Sequence, residues 1–496
     1  MGTHDADRRG ERLVLLRFAG ELFIKSKRTR SAFLRRLREN LEDALASTSE
    51  EARLEGGWDR LYVRTADDAV LPVLARVFGL SSLSPVAVET EATLDTILDA
   101  AEDAFIDRVR GRTFAVRARR AGTHPFSSND IQIRLGARLL EASAGVDLDD
   151  PDVEVSVEVR EDRAHLFSGR IRGAAGLPLG VEGRAVTLLS GGYDSAVAAW
   201  LMLKRGIEQD YVFCNLGGDA YERAVVQVGK LLADQWSYGT RPRLHVLDFD
   251  GPLRAIRAHT RERYWQVVLK RLMYRAASRV ARGVPAQAII TGEAVGQVSS
   301  QTLPNLRAIE PAADLPVFRP LLGFDKEEII ARARRIGTAG LSEQVKEYCA
   351  IAPGHPVTSA SVEAVAGEEA KIDLAVVDRA VAERKVLDLR ALTSTDLVAP
   401  YLFIDEVPAD AVVLDCRPPG EYRAWHLPGA ERRDEWELLR KFEALDRDRR
   451  YVLYCGHGMQ TANIAEKMQR SGYEAYSFRG GVRALRRWAS AAGVTS

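Results

Sequence analysis

Apolar residues recur along this chain in changing rhythms, and the points of change divide it into four segments and a connector. Leu13-Val14-Leu15-Leu16-Arg17-Phe18 is an apolar run that predicts a strand. From Arg28 to Leu45, the residues Phe33, Leu34, Leu37, Leu41, Ala44 and Leu45 fall on one helical stripe, with Arg35, Arg36 and Arg38 off it. A strand at Leu61-Tyr62-Val63 precedes another helix and a short strand, so residues 1–77 predict a small α+β domain. Over 78–176 a period of two takes hold. Phe114, Val116 and Ala118 alternate with Thr113, Arg117 and Arg119, while Val153, Val155, Val157 and Val159 alternate with Glu154, Ser156, Glu158 and Arg160. Both patterns describe half-buried strands.

Past Gly176-Leu177-Pro178-Leu179-Gly180 the order becomes strand then helix. Val186-Thr187-Leu188-Leu189, Tyr211-Val212-Phe213, Leu244-His245-Val246-Leu247 and Ala288-Ile289-Ile290 are the strands, and together they predict an open parallel α/β sheet over 177–359. Residues 360–400 read as a linker, a charged helical connector that includes Ala375 to Leu389. The segment 401–496 is βα again, with Val412-Val413-Leu414-Asp415, Tyr451-Val452-Leu453-Tyr454, then a terminal strand and helix.

At 496 residues the chain exceeds what one core serves, which agrees with several domains. Its 70 basic residues cancel its 70 acidic ones, so any nucleic-acid surface must be local. Arg117, Arg119 and Arg120 fit either a solvated strand edge or guanidinium groups offered to phosphates. The polar opening Met1-Gly2-Thr3-His4-Asp5-Ala6 lacks a signal-peptide core, and no apolar run is long enough to span a bilayer, so a cytoplasmic protein with no membrane association is expected. Cys214, Cys349, Cys416 and Cys455 form no close pair, which speaks against zinc or a disulfide framework, and no metal-ligating set is expected among the side chains.

Two stretches carry chemistry. Ser190-Gly191-Gly192-Tyr193-Asp194-Ser195 joins an apolar strand to a helix, placing free N–H groups and the positive helix end where anionic oxygens can sit. It lacks the lysine and spacing of a Walker loop, and there is no G-x-G-x-x-G. Alone, it also fits a serine-rich turn before a helix. Cys455 follows the strand ending at Tyr454 and opens Cys455-Gly456-His457-Gly458-Met459-Gln460-Thr461 ahead of another helix, an environment suited to a thiolate or persulfide. Cys349, in Glu347-Tyr348-Cys349-Ala350, fits an inert buried cysteine as well as a reactive one. Lys326, read alone, is an exposed lysine at a helix start. Cys214 and Cys416 end strands and receive no redox role.

The hexapeptide resembles the loop of PP-loop ATP pyrophosphatases, which bind ATP, pass AMP to a substrate oxygen and release pyrophosphate. With Lys270, Arg271 and Met273, the block Thr291-Gly292-Glu293-Ala294-Val295-Gly296-Gln297-Val298-Ser299-Ser300-Gln301-Thr302, Arg319-Pro320-Leu321 and Asp325-Lys326, essentially the whole chain resembles the tRNA 4-thiouridine synthetase family, also linked to thiamine biosynthesis. The last segment resembles a rhodanese through Leu414-Asp415-Cys416-Arg417, Glu421-Tyr422, His426-Leu427-Pro428-Gly429-Ala430 and Arg479-Gly480-Gly481-Val482. It departs at Thr461, where many rhodaneses have arginine, which puts activity on thiosulfate in doubt.

The resemblance implies a multidomain α/β and α+β protein. In order, these are an N-terminal ferredoxin-like domain, a THUMP domain for tRNA, a PP-loop domain and a rhodanese domain. It implies ATP and Mg2+ as cofactors, with Leu188, Leu189, Phe213 and Cys214 beside the adenine. Ser190, Gly191, Gly192, Tyr193 and Ser195 would form the phosphate loop, and Lys270, Gly292 and Gln301 would complete the pocket. Asp194 would act at the phosphates and Lys326 on charge at the reacting centre. Cys455 would carry a persulfide loaded by a cysteine desulfurase and pair with Cys349 in a redox-active disulfide. The implied product is 4-thiouridine at position eight of tRNA. A sulfur carrier protein for thiazole synthesis is a second implied acceptor, and a persulfide carrier serving mainly that pathway is the alternative reading.

Overall fold

A computed structural model describes residues 11–49, 51–57, 60–216, 218–343, 355–393, 402–456 and 458–494. The chain divides into two compact units, Met1–Gly176 and Leu177–Ser496.

The first unit holds two five-stranded sheets. One is antiparallel, with strands Leu80–Pro85, Arg12–Phe18, Leu61–Thr65 and Arg53–Gly56 side by side and Ile171–Arg172 at its edge. Helices Lys27–Ala46 and Val70–Leu74 complete a strand-helix-strand-strand-helix-strand order, which is ferredoxin-like. The predicted stripe is the buried one: Phe33, Leu34, Leu37, Leu41, Ala44 and Leu45 face the core. Ser26 caps this helix by accepting the Thr29 N–H at 3.3 Å. The second sheet pairs Thr113–Ala121 in parallel with Val153–Arg160, whose other neighbour is the antiparallel Arg163–Ser168. Helices Leu94–Val109 and Ser128–Leu140 cover its apolar face, which includes Phe114, Val116, Val155 and Val157.

One expectation needs correction here. Leu80–Pro85, assigned by the break after residue 77 to the second segment, is a strand of the first sheet, because buried Leu80 and Leu83 complete that sheet's apolar face. Ile171–Arg172 returns from the far end of the second segment to pair with it.

In the second unit, a six-stranded sheet runs Val317–Phe318, Ile289–Ile290, Arg184–Leu188, Glu208–Asn215, Arg243–Asp248, Lys385–Asp388. The first five are parallel and the last is antiparallel. The expected connector is therefore part of this domain. The helix predicted from Ala375 to Leu389 stops at Ala382, and the chain turns into the strand Lys385–Asp388, which covers the open edge of Arg243–Asp248. Val365, Val377 and Ala380 pack into the same core as Val186, Val212 and Leu272. Glu369 receives Arg271 at 2.6 and 3.0 Å and Arg275 at 2.6 and 2.9 Å, tying the segment to the helix Trp265–Gly283. A linker would be solvated; this carboxylate and these apolar side chains are buried.

The last domain is a parallel five-stranded sheet in the order Phe403–Ile404, Glu474–Phe478, Arg450–Tyr454, Val412–Asp415, Glu431–Arg432. Helices Met459–Arg470 and Gly481–Ala491 follow its central strands. Buried Arg417 grips buried Asp415 through two hydrogen bonds of 3.0 and 2.6 Å and also donates to Trp425 O, which anchors the turn after Val412–Asp415. No helix among the described residues is long and apolar enough to cross a membrane.

Candidate functional site

A cavity of about 440 Å³ opens at the carboxyl ends of the parallel strands of the six-stranded sheet. Leu188, Leu189, Ser190, Gly192, Asp194, Ser195, Phe213, Cys214, Lys270, Gly292 and Gln301 line it, so most of the predicted site residues meet there. Gly191, Tyr193 and Lys326 are not on its wall. Gly191 gives the loop its turn at φ 78°. The Lys326 ammonium lies over the Tyr193 ring, 5.7 Å from its centroid, and donates to Asp194 at 3.0 and 3.3 Å.

The loop owes its shape to hydrogen bonds among its own residues and to close packing. Ser195 Oγ accepts from the Ser190 N–H and the Ser190 hydroxyl, both at 3.2 Å, and donates to Gly192 O. The Tyr221 hydroxyl donates to Ser190 O at 3.2 Å. Gly192 caps the helix Tyr193–Leu203, whose first turn carries Asp194. Gly292 presses against that turn: a Cβ there would lie 2.6 Å from Asp194 C and Ser195 N. No side chain fits between them, which is why the resemblance's glycine is structural here.

Behind the loop sits a buried polar network. Glu293 accepts from Thr291 Oγ1 at 3.0 Å, Arg319 Nε at 2.9 Å and the Tyr274 hydroxyl, with Lys270 Nζ 3.9 Å away. Burial alone would push the Glu293 carboxyl up, but Lys270, the Tyr274 hydroxyl and Arg319 outweigh it and hold its pKa below the ordinary value. Glu293 is thereby kept anionic, holding Arg319 behind the cavity and standing near Lys270 on its wall. Gln297 donates to Asp194 Oδ2 at 3.1 Å, while its own Oε1 is buried with no hydrogen-bond partner. Glu293 and Gln297 stand in the block that carried the resemblance, yet only the fold reveals what they hold. Tyr221 and Gln266 also reach the cavity, and no motif marks either.

The second site is in the last domain. Cys455, 3% exposed, follows the strand Arg450–Tyr454. Its Sγ accepts from the Gly458 N–H at 3.2 Å and lies 3.6 Å from the Thr461 hydroxyl. Thr461 and Ser477 share a 2.7 Å hydrogen bond, and Ser477 donates to Gly458 O at 2.8 Å. Thr461, the departure from the rhodanese pattern, is thus part of the sulfur's cradle. A Cβ on Gly481 would lie 2.6 Å from the carbonyl oxygens of Cys455 and Gly456, so the Arg479-Gly480-Gly481 turn presses the loop closed. Cys349 and His457 lie outside the described residues.

In the first unit, Arg117 and Arg119 line a shallow depression with Arg170, Gln132 and Glu154. Arg120 turns aside to donate to Gly122 O at 2.6 Å. No group of His, Cys, Asp and Glu among the described residues could hold a metal by itself.

Comparison with known proteins matches all four segments. Residues 180–374 match the family described as thiamine biosynthesis protein (ThiI), 13–84 the ThiI ferredoxin-like domain, 91–168 the THUMP domain and 403–487 the rhodanese-like domain. A tRNA sulfurtransferase of Pyrobaculum aerophilum is 39% identical over 94% of this chain and 96% of its own length. One from Marinobacter nauticus is 38% identical over 93% of this chain and 98% of its own. Among solved structures, a 4-thiouridine synthetase–RNA complex with bound ATP superposes with a TM-score of 0.65 at 30% identity, covering 76% of this chain and 99% of that one. With ferredoxin-like, THUMP, PP-loop and rhodanese-like domains in that order, the chain belongs to the tRNA sulfurtransferase family.

Proposed function

We propose that this chain thiolates tRNA in two steps at two sites, activating the uridine at position eight with ATP and replacing its O4 with sulfur carried by Cys455. The observation that carries this reading is the pairing, in one chain, of a glycine loop facing a nucleotide-sized cavity with a separate buried cysteine whose sulfur accepts the Gly458 N–H and stands 3.6 Å from the Thr461 hydroxyl.

In the first step ATP lies in the cavity with its adenine against Leu188, Leu189, Phe213 and Cys214 and its phosphates on the loop Ser190–Ser195, where N–H groups and the helix end favour negative charge. Lys270, Gly292 and Gln301 close the pocket. Attack by uridine O4 on the α-phosphorus forms the adenylate and releases pyrophosphate. Lys326 and Lys270 offset the charge that develops there. Asp194 and the unpartnered Gln297 Oε1 fit as oxygen ligands for Mg2+, which when bound would neutralise polyphosphate charge.

In the second step the persulfide sulfur of Cys455, loaded from cysteine by a cysteine desulfurase, replaces the adenylate at C4. AMP leaves, and the tRNA is joined to Cys455 through an S–S bond. Cys349 then attacks Cys455 Sγ, that bond breaks with its electron pair going to the sulfur on C4, and 4-thiouridine departs as a Cys349–Cys455 disulfide forms, which a dithiol reductant reopens. The first unit, with Arg117, Arg119 and Arg170 beside one another, holds the tRNA. The same persulfide serves a sulfur carrier protein for thiazole synthesis, and the setting is the cytoplasm.

The test is incubation of the full chain with tRNA, ATP, Mg2+, cysteine and a desulfurase. The expected product is tRNA with the near-ultraviolet absorbance of thiouridine. Folded protein that yields none overturns the proposal.

A further inference from the structure

Cys416 and Cys455 end neighbouring parallel strands. Leu414 stands opposite Leu453 and Asp415 opposite Tyr454. The Cys416 N–H then donates to Tyr454 O at 2.9 Å, which carries the ladder one residue further and sets Cys416 across from Cys455. Residues paired across a ladder project to the same face. Here it is the face of Leu414 and Leu453, in whose core Cys416 packs. Both thiols are free and buried. Neighbouring strands lie about 4.8 Å apart, and disulfides bridge Cα separations of roughly 4.4–6.8 Å. A pair set across this ladder therefore falls within the Cα range that a disulfide spans.

We propose that Cys416 is a resolving thiol for sulfur carried on Cys455, discharging it as hydrosulfide within the rhodanese-like domain itself. This rests on the reading above that Cys455 carries a persulfide. Cys416 Sγ attacks Cys455 Sγ, the bond from Cys455 Sγ to the terminal sulfur breaks, and that sulfur departs with both electrons of the bond. The Cys416 proton goes to it, so the anionic persulfide and one thiol become a Cys416–Cys455 disulfide and HS⁻. The terminal sulfur is reduced, the Cys416 sulfur is oxidised by the same amount and the Cys455 sulfur is unchanged, so no outside oxidant is needed. A dithiol reductant reopens the bridge.

Burial, followed by the charges of Cys455, Glu435, Asp415 and Asp434, raises the Cys416 pKa well above that of an ordinary thiol. A protonated thiol is a poor nucleophile, so the discharge is slow and requires the Cys416 proton to pass to the departing sulfur as the new bond forms. On the other side, Gly458 N–H and the Thr461 hydroxyl hold Cys455 Sγ in position. The domain thus has its own means of releasing sulfur when no acceptor is engaged.

The experiment uses full-length Cys349→Ser protein, which removes the other candidate partner. It is loaded with cysteine and a desulfurase, cleared of both, and followed without tRNA or ATP by sulfide trapping and unreduced peptide mapping. The expected sequence is gain of one sulfur on the Cys455 peptide, then its loss with release of sulfide and appearance of a Cys416–Cys455 linked peptide. Adding Cys416→Ala or, closer in size, Cys416→Ser should abolish the linked peptide and leave the sulfur on Cys455. Sulfide release that is unchanged by these substitutions overturns the proposal. If Cys455 never gains sulfur, the persulfide reading falls and takes this one with it. Diamide oxidation of unloaded Cys349→Ser protein gives a separate reading of the pair: the linked peptide is expected, and its absence contradicts the placement.

Discussion

The Ser190–Ser195 loop and the Cys455 loop use one local device for different cargoes. Each follows a parallel strand, turns at a glycine with positive φ and feeds a helix: Gly191 at 78° and Gly458 at 83°. Each is clamped by a glycine from elsewhere in the chain, Gly292 in one and Gly481 in the other, where a Cβ would come within 2.6 Å of backbone. They differ in the space left over. The first loop faces about 440 Å³ walled by Lys270, Asp194 and apolar side chains, room for a nucleotide. The second closes on Cys455, 3% exposed, whose sulfur has the Gly458 N–H as donor and the Thr461 hydroxyl 3.6 Å away. The same strand-loop-helix turn builds both, and the rest of the fold decides how much room each leaves.

Breaking the activating side alone gives the largest expected effect. Asp194→Ala should lower pyrophosphate release and thiouridine formation together by about 10²–10³-fold, the range for loss of one preorganised electrostatic group, while Cys455 still takes up sulfur by mass spectrometry. The clamps come next. Gly292→Ala should cost about 1–3 kcal/mol by overpacking and impair pyrophosphate release but not sulfur loading; Gly481→Ala should do the reverse. Finding both substitutions silent would remove packing from the account. Smaller still, Thr461→Val deletes one hydrogen-bond partner of the sulfur and of Ser477 and should cost about 1 kcal/mol, near fivefold in persulfide lifetime.

The remaining effect concerns pH and is read in stability, not in turnover. His245, on Arg243–Asp248, is held down to about 4 from its ordinary 6.5, first by burial and then by Arg384 and Arg243, against Asp210. A depressed histidine is neutral in the fold, and unfolding lets it charge. Its contribution is complete above about pH 6.5 and is lost as pH falls toward 4. Thermal denaturation should show the six-stranded domain weakening over that window, and His245→Gln should flatten the slope.

Local features were legible in the sequence and long-range ones were not. The stripe Phe33 to Leu45, the strands around Val116 and Val155 and the two glycine loops depend on neighbours in sequence, and all are where the pattern puts them. The break after residue 77 misplaced Leu80–Pro85, because membership of a sheet is settled by partners such as Arg12–Phe18. Lys385–Asp388 read as helix because its charged residues carry no period, and only pairing with Arg243–Asp248 makes it a strand. At the cavity, residues on the loop and in the block 291–302 were marked by motif, whereas Tyr221 arrives from a helix with none. Thr461 was visible as a departure, but its contact with sulfur needed the fold. That Cys416 stands across from Cys455 is visible only through strand register.

The central claim is that activation and sulfur delivery are separate sites serving one product. Counting pyrophosphate and thiouridine together in Cys455→Ser protein, with tRNA, ATP, cysteine and desulfurase present, tests it most directly. The account predicts tRNA-dependent pyrophosphate release with no thiouridine; thiouridine formed at the unsubstituted protein's rate would contradict it.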